Sequence, residues 1–293
     1  MAIDMEHFAQ HLTYTITAPI PQILTDLTTI ADFDQIAEAK QKRFNTILVI
    51  SLIGCFVSLF LLAFGIGIVT LIVCAIAAIF AGMMLNKYRR RNLANYRYEV
   101  LRKVLALLTR DIEPNAAVNL TLVLSPPIDA NKKTHTGPHP RRSGWKIDYF
   151  RDSWLNISGY FLDGTHFSLA ATELHITQYG WKRSRSGKSK FKKKSKPKAQ
   201  ELELTMTCPR RKYGAISVLQ QDAIHAIQLP DAVRLMRFKS SDRRLSLTAK
   251  TPAWVTATPE DDPLYQTITL MFLSLYQILN LARVLSKNSS HSA

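Results

Sequence analysis

From Phe44 to Asn86 the chain carries not one charged side chain, and no other feature constrains it as strongly. One bilayer crossing takes about 20 apolar residues, so the stretch is long enough for two. Gly65 and Gly67 flank Ile66 near its midpoint, where the backbone is free to leave helical geometry. The reading is a transmembrane helical hairpin of residues 46–64 and 67–86. Lys40, Lys42 and Arg43 precede it, and Lys87, Arg89, Arg90 and Arg91 follow it. Basic flanks on both sides place both ends in the cytoplasm, which makes the chain a multi-pass membrane protein with its termini inside. The turn has no polar anchor, so a full crossing and a deep insertion are two forms of the same expectation.

Small residues recur within the stretch: Gly54 and Ser58 in its first half, Cys74, Ala78 and Gly82 in its second. Four-residue spacing lets helix backbones approach closely in lipid, either within one hairpin or between hairpins of a homo-oligomer. The span holds no Asp, Glu, Lys, Arg or His, the side chains that proton relays and ion paths use, so a transporter is disfavoured.

Residues 1–45 read as an amphipathic helical region, with Ile23, Leu27, Ile30, Phe33, Ile36 and Ala37 at three- and four-residue steps. Residues 87–114 read as a stalk helix, with Val100, Leu101, Val104, Leu105 and Leu108 on one stripe before Pro114. From residue 115 the period becomes two. Leu202, Leu204, Met206 and Cys208 alternate with Glu201, Glu203, Thr205 and Thr207, the pattern of a half-buried strand. Asp163-Gly164 between alternating runs signals a tight hairpin, and "KSSD" at 239–242 lies between two further short runs. Residues 117–124, 144–150 and 172–181 read as strands, and 215–228 as a helix.

Residues 115–260 are therefore expected to form a cytoplasmic antiparallel β-rich domain. Residues 261–293 should close it with a C-terminal amphipathic helix, started by Asp261, Asp262 and Pro263. The low charge of that helix leaves a third span as the other reading of it. The fold class is an α+β membrane protein.

Of the formal charge of +16, ten units lie in residues 182–198, "KRSRSGKSKFKKKSKPK". These are Lys182, Arg183, Arg185, Lys188, Lys190, Lys192, Lys193, Lys194, Lys196 and Lys198, without one acid. The segment reads as an elongated, solvated hairpin loop, too polar to bury itself. Its composition suits an anionic partner: lipid headgroups, an acidic protein or a nucleic acid. Only Phe191 and the bordering Trp181 supply aromatic surface, which weakens the nucleic-acid reading. A second basic stretch, residues 131–145, is expected to add to the same face.

Motifs for chemistry are sparse. "SGKS" at 186–189 lacks the earlier glycine of a phosphate loop. His135 with His139, and His7 with His11, have no third ligand nearby, so no metal and no cofactor is expected. Cys55, Cys74 and Cys208 form no pattern of a disulfide framework. The functional expectation is a membrane-anchored scaffold or assembly factor that binds an anionic partner through its Lys/Ser-rich segment. The alternative is a membrane-bound enzyme whose site is assembled from distant residues of the β-rich domain.

Overall fold

A computed structural model describes residues 3–61, 67–89, 93–184, 187–213, 216, 222–253 and 262–291. The Gly65 break between the apolar halves lies outside these residues, as do 215 and 217–221 of the helix expected over 215–228; the described end of that stretch is a single 3-10 turn, Asp222–Ile224, followed by non-helical chain. The chain divides into two compact units: Met1–Ile3 with Thr25–Asn95, and Asp4–Leu24 with Tyr96–Ala293.

The first unit contains most of α2 (Ile20–Leu61) and all of α3 (Gly67–Arg89). α2 runs 42 residues without interruption, because nothing in the amphipathic stretch or the apolar stretch after it breaks a helix. Ile50, Phe56, Phe60, Val69, Ile76 and Ile79 turn large apolar side chains outward. Surface of this kind suits lipid and is costly against water. Residues 20–60, 67–89 and 263–285 are each long and apolar enough to cross a membrane, which marks a membrane protein.

Where α2 and α3 touch, the residues are small. A Cβ on Gly54 would lie 2.7 Å from Cys74 Sγ, and Ser58 is buried with its hydroxyl donating to the Gly54 carbonyl at 2.7 Å. Further along, Phe44 stacks on Tyr88 at 5.6 Å. On α3 the inward residues are Gly67, Cys74 and Ala81, seven apart, whereas a Cβ on Gly82 would meet nothing within 4 Å. Two helices packed at a shallow angle keep contact every 3.5 residues, so a stripe repeating every four drifts off the seam. Ala78 is half-buried and Gly82 stands beside the seam, with Ala81 in it. After α3, Leu93 N–H donates to Asp34 at 2.8 Å and the Asn95 amide to Glu38 at 3.1 Å, which fixes the connecting segment on α2.

Gly54→Leu should therefore force the helices apart and lower the melting temperature of the solubilised protein by several degrees. Overpacking of this kind costs about 1–3 kcal/mol. Gly82→Leu should leave the melting temperature unchanged.

The second unit is an antiparallel sheet with helices on one face. α1 (Met5–His11) is capped by Asp4, whose carboxylate accepts from the Glu6 and His7 amides. β1 (Thr13–Pro19) follows, a strand within the region read as helical; "TYTITAP" has its own period-two pattern, with Tyr14 and Ala18 buried. Then come α4 (Asn95–Leu108), β2 (Ala117–Val123), β3 (Lys133–Pro138), β4 (Lys146–Tyr160), β5 (His166–Arg183) and β6 (Ser189–Thr207). A single helical turn α5 (Arg210–Tyr213), β7 (Arg234–Ser240), β8 (Arg244–Pro252) and α6 (Pro263–His291) complete it.

Among the described residues the sheet has eight strands in the order β1-β2-β4-β5-β6-β8-β7, with β3 paired to β4. The stalk expected over 87–114 is divided: α3 ends at Arg89 and α4 begins at Asn95. The Asp163-Gly164 turn forms as its residues demand, with Gly164 at φ +84° and Asp163 accepting from the Thr165 amide at 2.7 Å. Asp262 caps α6 by accepting the Tyr265 amide.

α6 buries Ile268, Met271, Phe272, Leu275 and Ile278, and Phe272 meets Phe161 and Phe167 at 6.3 and 6.0 Å. One side of this helix is thus core of the sheet unit. That accounts for its buried share of 44%, against 11% and 6% for the other two apolar helices.

Candidate anion-binding face of the long hairpin

β5 and β6 form one hairpin whose outer arms are the basic segment. In place of the expected loop, pairing continues through Gln178↔Lys194, Gly180↔Lys192 and Lys182↔Lys190 to Arg183↔Ser189. The chain reverses between Ser184 and Lys188, where Ser184 N–H donates to the Lys188 carbonyl and Gly187 adopts φ +78°. Backbone hydrogen bonds hold the arms despite the like charges, because ladder pairing is indifferent to side-chain sign.

Directly opposed residues share a face, and successive residues alternate. Lys190, Lys192, Lys194 and Lys196 therefore line one face of β6, with Gln178, Gly180 and Lys182 beside them on β5. Along β6 these lysines are about 6.7 Å apart, two strand rises. Tyr179, Trp181, Arg183, Phe191, Lys193 and Ser195 belong to the opposite face. Lys182 stands directly across from Lys190, an unfavourable pair unless an anion lies between.

The cationic face is walled by the stretch after β3. A Cβ on Gly180 would lie 2.6 Å from the Trp145 ring, so glycine alone lets that ring lie flat on β5. Trp145 Nε1 donates to the Trp181 carbonyl at 3.1 Å, and the Arg142 guanidinium lies over the ring at 4.7 Å. Against this wall runs a groove of about 1030 Å³ lined by residues from both faces of the hairpin: Arg142, Trp145, Gln178, Lys182, Lys192, Lys194 and Lys196, with Trp181, Arg183, Phe191 and Lys193 of the other face. Its lining contains no acid.

Among the described residues, no ion pair involves a cation of residues 182–198. Lys198 lies 5.7 Å from the centre of the Tyr149 ring. Lys188 is exposed at the tip, and Arg185 falls outside the described residues. The stretch 131–145 thus adds Arg142 and Trp145 to the groove, while its Lys132 and Lys133 are neutralised by Asp152 and Asp148. Lys133 also holds the Asp148 carboxyl below its usual range, against the upward pull of burial.

A second polar cluster lies inside the unit. Arg97 of α4 is fully buried and donates to Asp152 on β4 at 2.8 Å, Glu173 on β5 at 2.5 Å and the Val123 carbonyl at 2.9 Å. Its Nε donates to the Tyr96 hydroxyl, which in turn donates to Glu173 at 2.7 Å. Lys132 pairs with the other oxygen of Asp152 at 3.0 Å, so two cations balance two carboxylates. Trp154, in the β4 irregularity opposite Thr172 and Ala171, closes the cluster with its ring 5.5 Å from the guanidinium.

Burial pushes the Tyr96 hydroxyl well above its ordinary value and holds His175, near Glu173, below its own. This cluster ties α4 to the sheet and its charges are balanced by its own members, while the buried Trp154 Nε1 has no hydrogen-bond partner among the described residues; it is a structural node. Its sequence signal was the position of Arg97 on the same stripe as Leu101, Val104 and Leu108, a charge where an apolar residue belongs.

The small residues Gly54, Ser58 and Cys74 lie together in the other unit, as described above. His135 stacks on Tyr149 and His139 meets the edge of Trp145, so each of that pair has an aromatic neighbour of its own. Among the described residues no group of His, Cys, Asp or Glu has the makeup of a metal site. Comparison of the chain with protein-family models, with curated proteins and with solved structures finds no match.

Proposed function

We propose that this chain is a membrane-anchored scaffold that holds an anionic partner against the cationic face of the β5–β6 hairpin. One observation carries the reading: a groove of about 1030 Å³ whose lining joins Arg142 to five lysines and Arg183, with no acid. Cations this dense, with no acidic partner among the described residues, are neutralised from outside. Support for the anchor comes from the exposed apolar surfaces of α2 and α3, which suit a hairpin crossing the bilayer or inserted deeply in it. The basic residues flanking those helices favour a sheet unit on the cytoplasmic side, with both termini. Small residues between α2 and α3 supply close packing within one hairpin, and homo-oligomers are not needed to explain them.

Sidedness is tested with an impermeant thiol reagent. Cys208 is a poor reporter, since burial pushes its thiol up to about 11. A cysteine placed at exposed Lys188 should stay unlabelled on intact cells and label after permeabilisation, above the background of the unaltered chain. Labelling from outside would reverse the orientation.

The binding role is tested by shortening the hairpin. Trp181 and Phe191 are directly paired, so replacing residues 182–190 by Asn-Gly closes the arms with a two-residue turn and keeps the register. Full-length protein in neutral lipid discs should bind polyphosphate, and the shortened form should bind far less. Equal binding would show that Lys182, Arg183, Arg185, Lys188 and Lys190 take no part and would confine any site to Lys192, Lys193, Lys194, Lys196 and Arg142, which this variant keeps.

A further inference from the structure

The aromatic face of the same hairpin stays open although its continuation is closed. Along β5 the residues Glu173, His175, Thr177, Tyr179 and Trp181 share one side. Glu173 meets Arg97, and His175 and Thr177 are buried, yet Trp181 is 66% exposed. Phe191, opposite Trp181, is 48% exposed. The two rings meet edge to face at 5.6 Å, and Tyr179 lies 6.2 Å from Phe191. Three aromatic side chains thus form a cluster at the outer end of a hairpin whose reverse side is the lysine row.

We propose that this hairpin end is a membrane-interface anchor, in which Trp181 and Phe191 enter the headgroup region of an anionic bilayer while the surrounding lysines bind its phosphates. The proposal rests on the anion-binding reading above and names its partner. Trp and other aromatic rings settle at the headgroup level, and lysines reach from there to lipid phosphate along their aliphatic stems. Aromatics backed by cations are the composition of peptides that lie in an anionic interface.

A single nucleic-acid strand fits less well. It needs cations and stacking rings on one surface, because each nucleotide presents its phosphate and base together. Here the side chains of Trp181 and Phe191 alternate along the strands with those of Lys182, Lys190 and Lys192 and leave the hairpin on the other side, although members of both sets border the groove. Trp145, the ring on the cationic side, is already covered by Gly180 and Arg142. A bilayer receiving the hairpin end-on meets both faces at once. Because the chain carries its own membrane helices, such a surface is always within reach at high effective concentration.

The test uses full-length protein in discs of phosphatidylcholine, with or without phosphatidylserine, containing acyl-brominated lipid that quenches nearby indoles. The contribution of Trp181 is taken as the difference between the wild type and Trp181→Phe, which keeps an aromatic ring at the site. The expected result is a blue-shifted, quenched Trp181 in anionic discs, less of both in neutral discs, and loss of both when Lys182, Lys190, Lys192, Lys194 and Lys196 become Gln. An unquenched Trp181 in anionic discs would overturn the insertion, while persistent polyphosphate binding would leave the anion-binding reading standing. Quenching unaffected by the Gln substitutions would overturn the electrostatic capture. Single-stranded RNA that quenches Trp181 in neutral discs, where anionic lipid has no effect, would reassign the surface to nucleic acid.

Discussion

Arg97→Leu is expected to remove a large part of the stability of the sheet unit. The guanidinium serves Asp152, Glu173, the Tyr96 hydroxyl and the Val123 carbonyl from a fully buried position. Removing one side of such a network leaves buried charge without compensation, which costs about 3–5 kcal/mol. That is a large share of the roughly 5–15 kcal/mol by which a domain is stable. Arg97→Lys should recover little, because an ammonium cannot present the planar fork that meets four acceptors. Adding Asp152→Asn and Glu173→Gln to Arg97→Leu should recover part of the loss, since the stranded charges are then gone. Thermal unfolding and limited proteolysis of the three variants are the readouts. Wild-type melting of Arg97→Leu would show that the cluster is dispensable.

The second large effect concerns binding. Lys182, Lys190, Lys192, Lys194 and Lys196 share the cationic face and, among the described residues, form no ion pair with an acid. A basic side chain near an anionic surface contributes about 1 kcal/mol, so changing all five to Gln removes about 5 kcal/mol. At 1.4 kcal/mol per decade, affinity should fall by about three orders of magnitude or more. The fold should tolerate the change, because these side chains are exposed and the arms are held by backbone pairing. Changing the same five to Arg should keep affinity within a few-fold. Collapse of binding in that variant would show a site shaped for ammonium groups.

How much of this the sequence showed follows from where each signal lies along the chain. The apolar stretch was legible because its meaning depends on length and composition alone. Asp163-Gly164, the strand 201–207 and the hairpin around 239–242 were legible because period-two patterning and turn residues are local. β1 was passed over because a short strand at the head of a long helical pattern has a partner, β2, that lies a hundred residues away.

The basic segment was read as a loop because Lys and Ser rarely build strands. Its pairing continues that of Leu202, Leu204 and Met206 further along β6, past a one-residue register shift between Leu174 and His175 of β5, and that pairing is a tertiary fact. One clue was present: Lys190, Lys192, Lys194 and Lys196 at steps of two are the spacing of one strand face. The contact of Trp145 with Gly180, and the meeting of Arg97 with Asp152 and Glu173, left no local trace. Each joins residues brought together only by strand order.

The most direct test of the central claim is the dependence of anion affinity on salt. Each cation that neutralises a phosphate contributes roughly 0.7 to 0.9 to the slope of log affinity against log salt concentration. Full-length wild type in neutral discs, titrated with polyphosphate, should show a steep negative slope. In the five-Gln variant the slope should become shallower by about 3 to 5. Identical slopes for the two proteins would contradict the account, because the cationic face of the hairpin would then take no part in the binding.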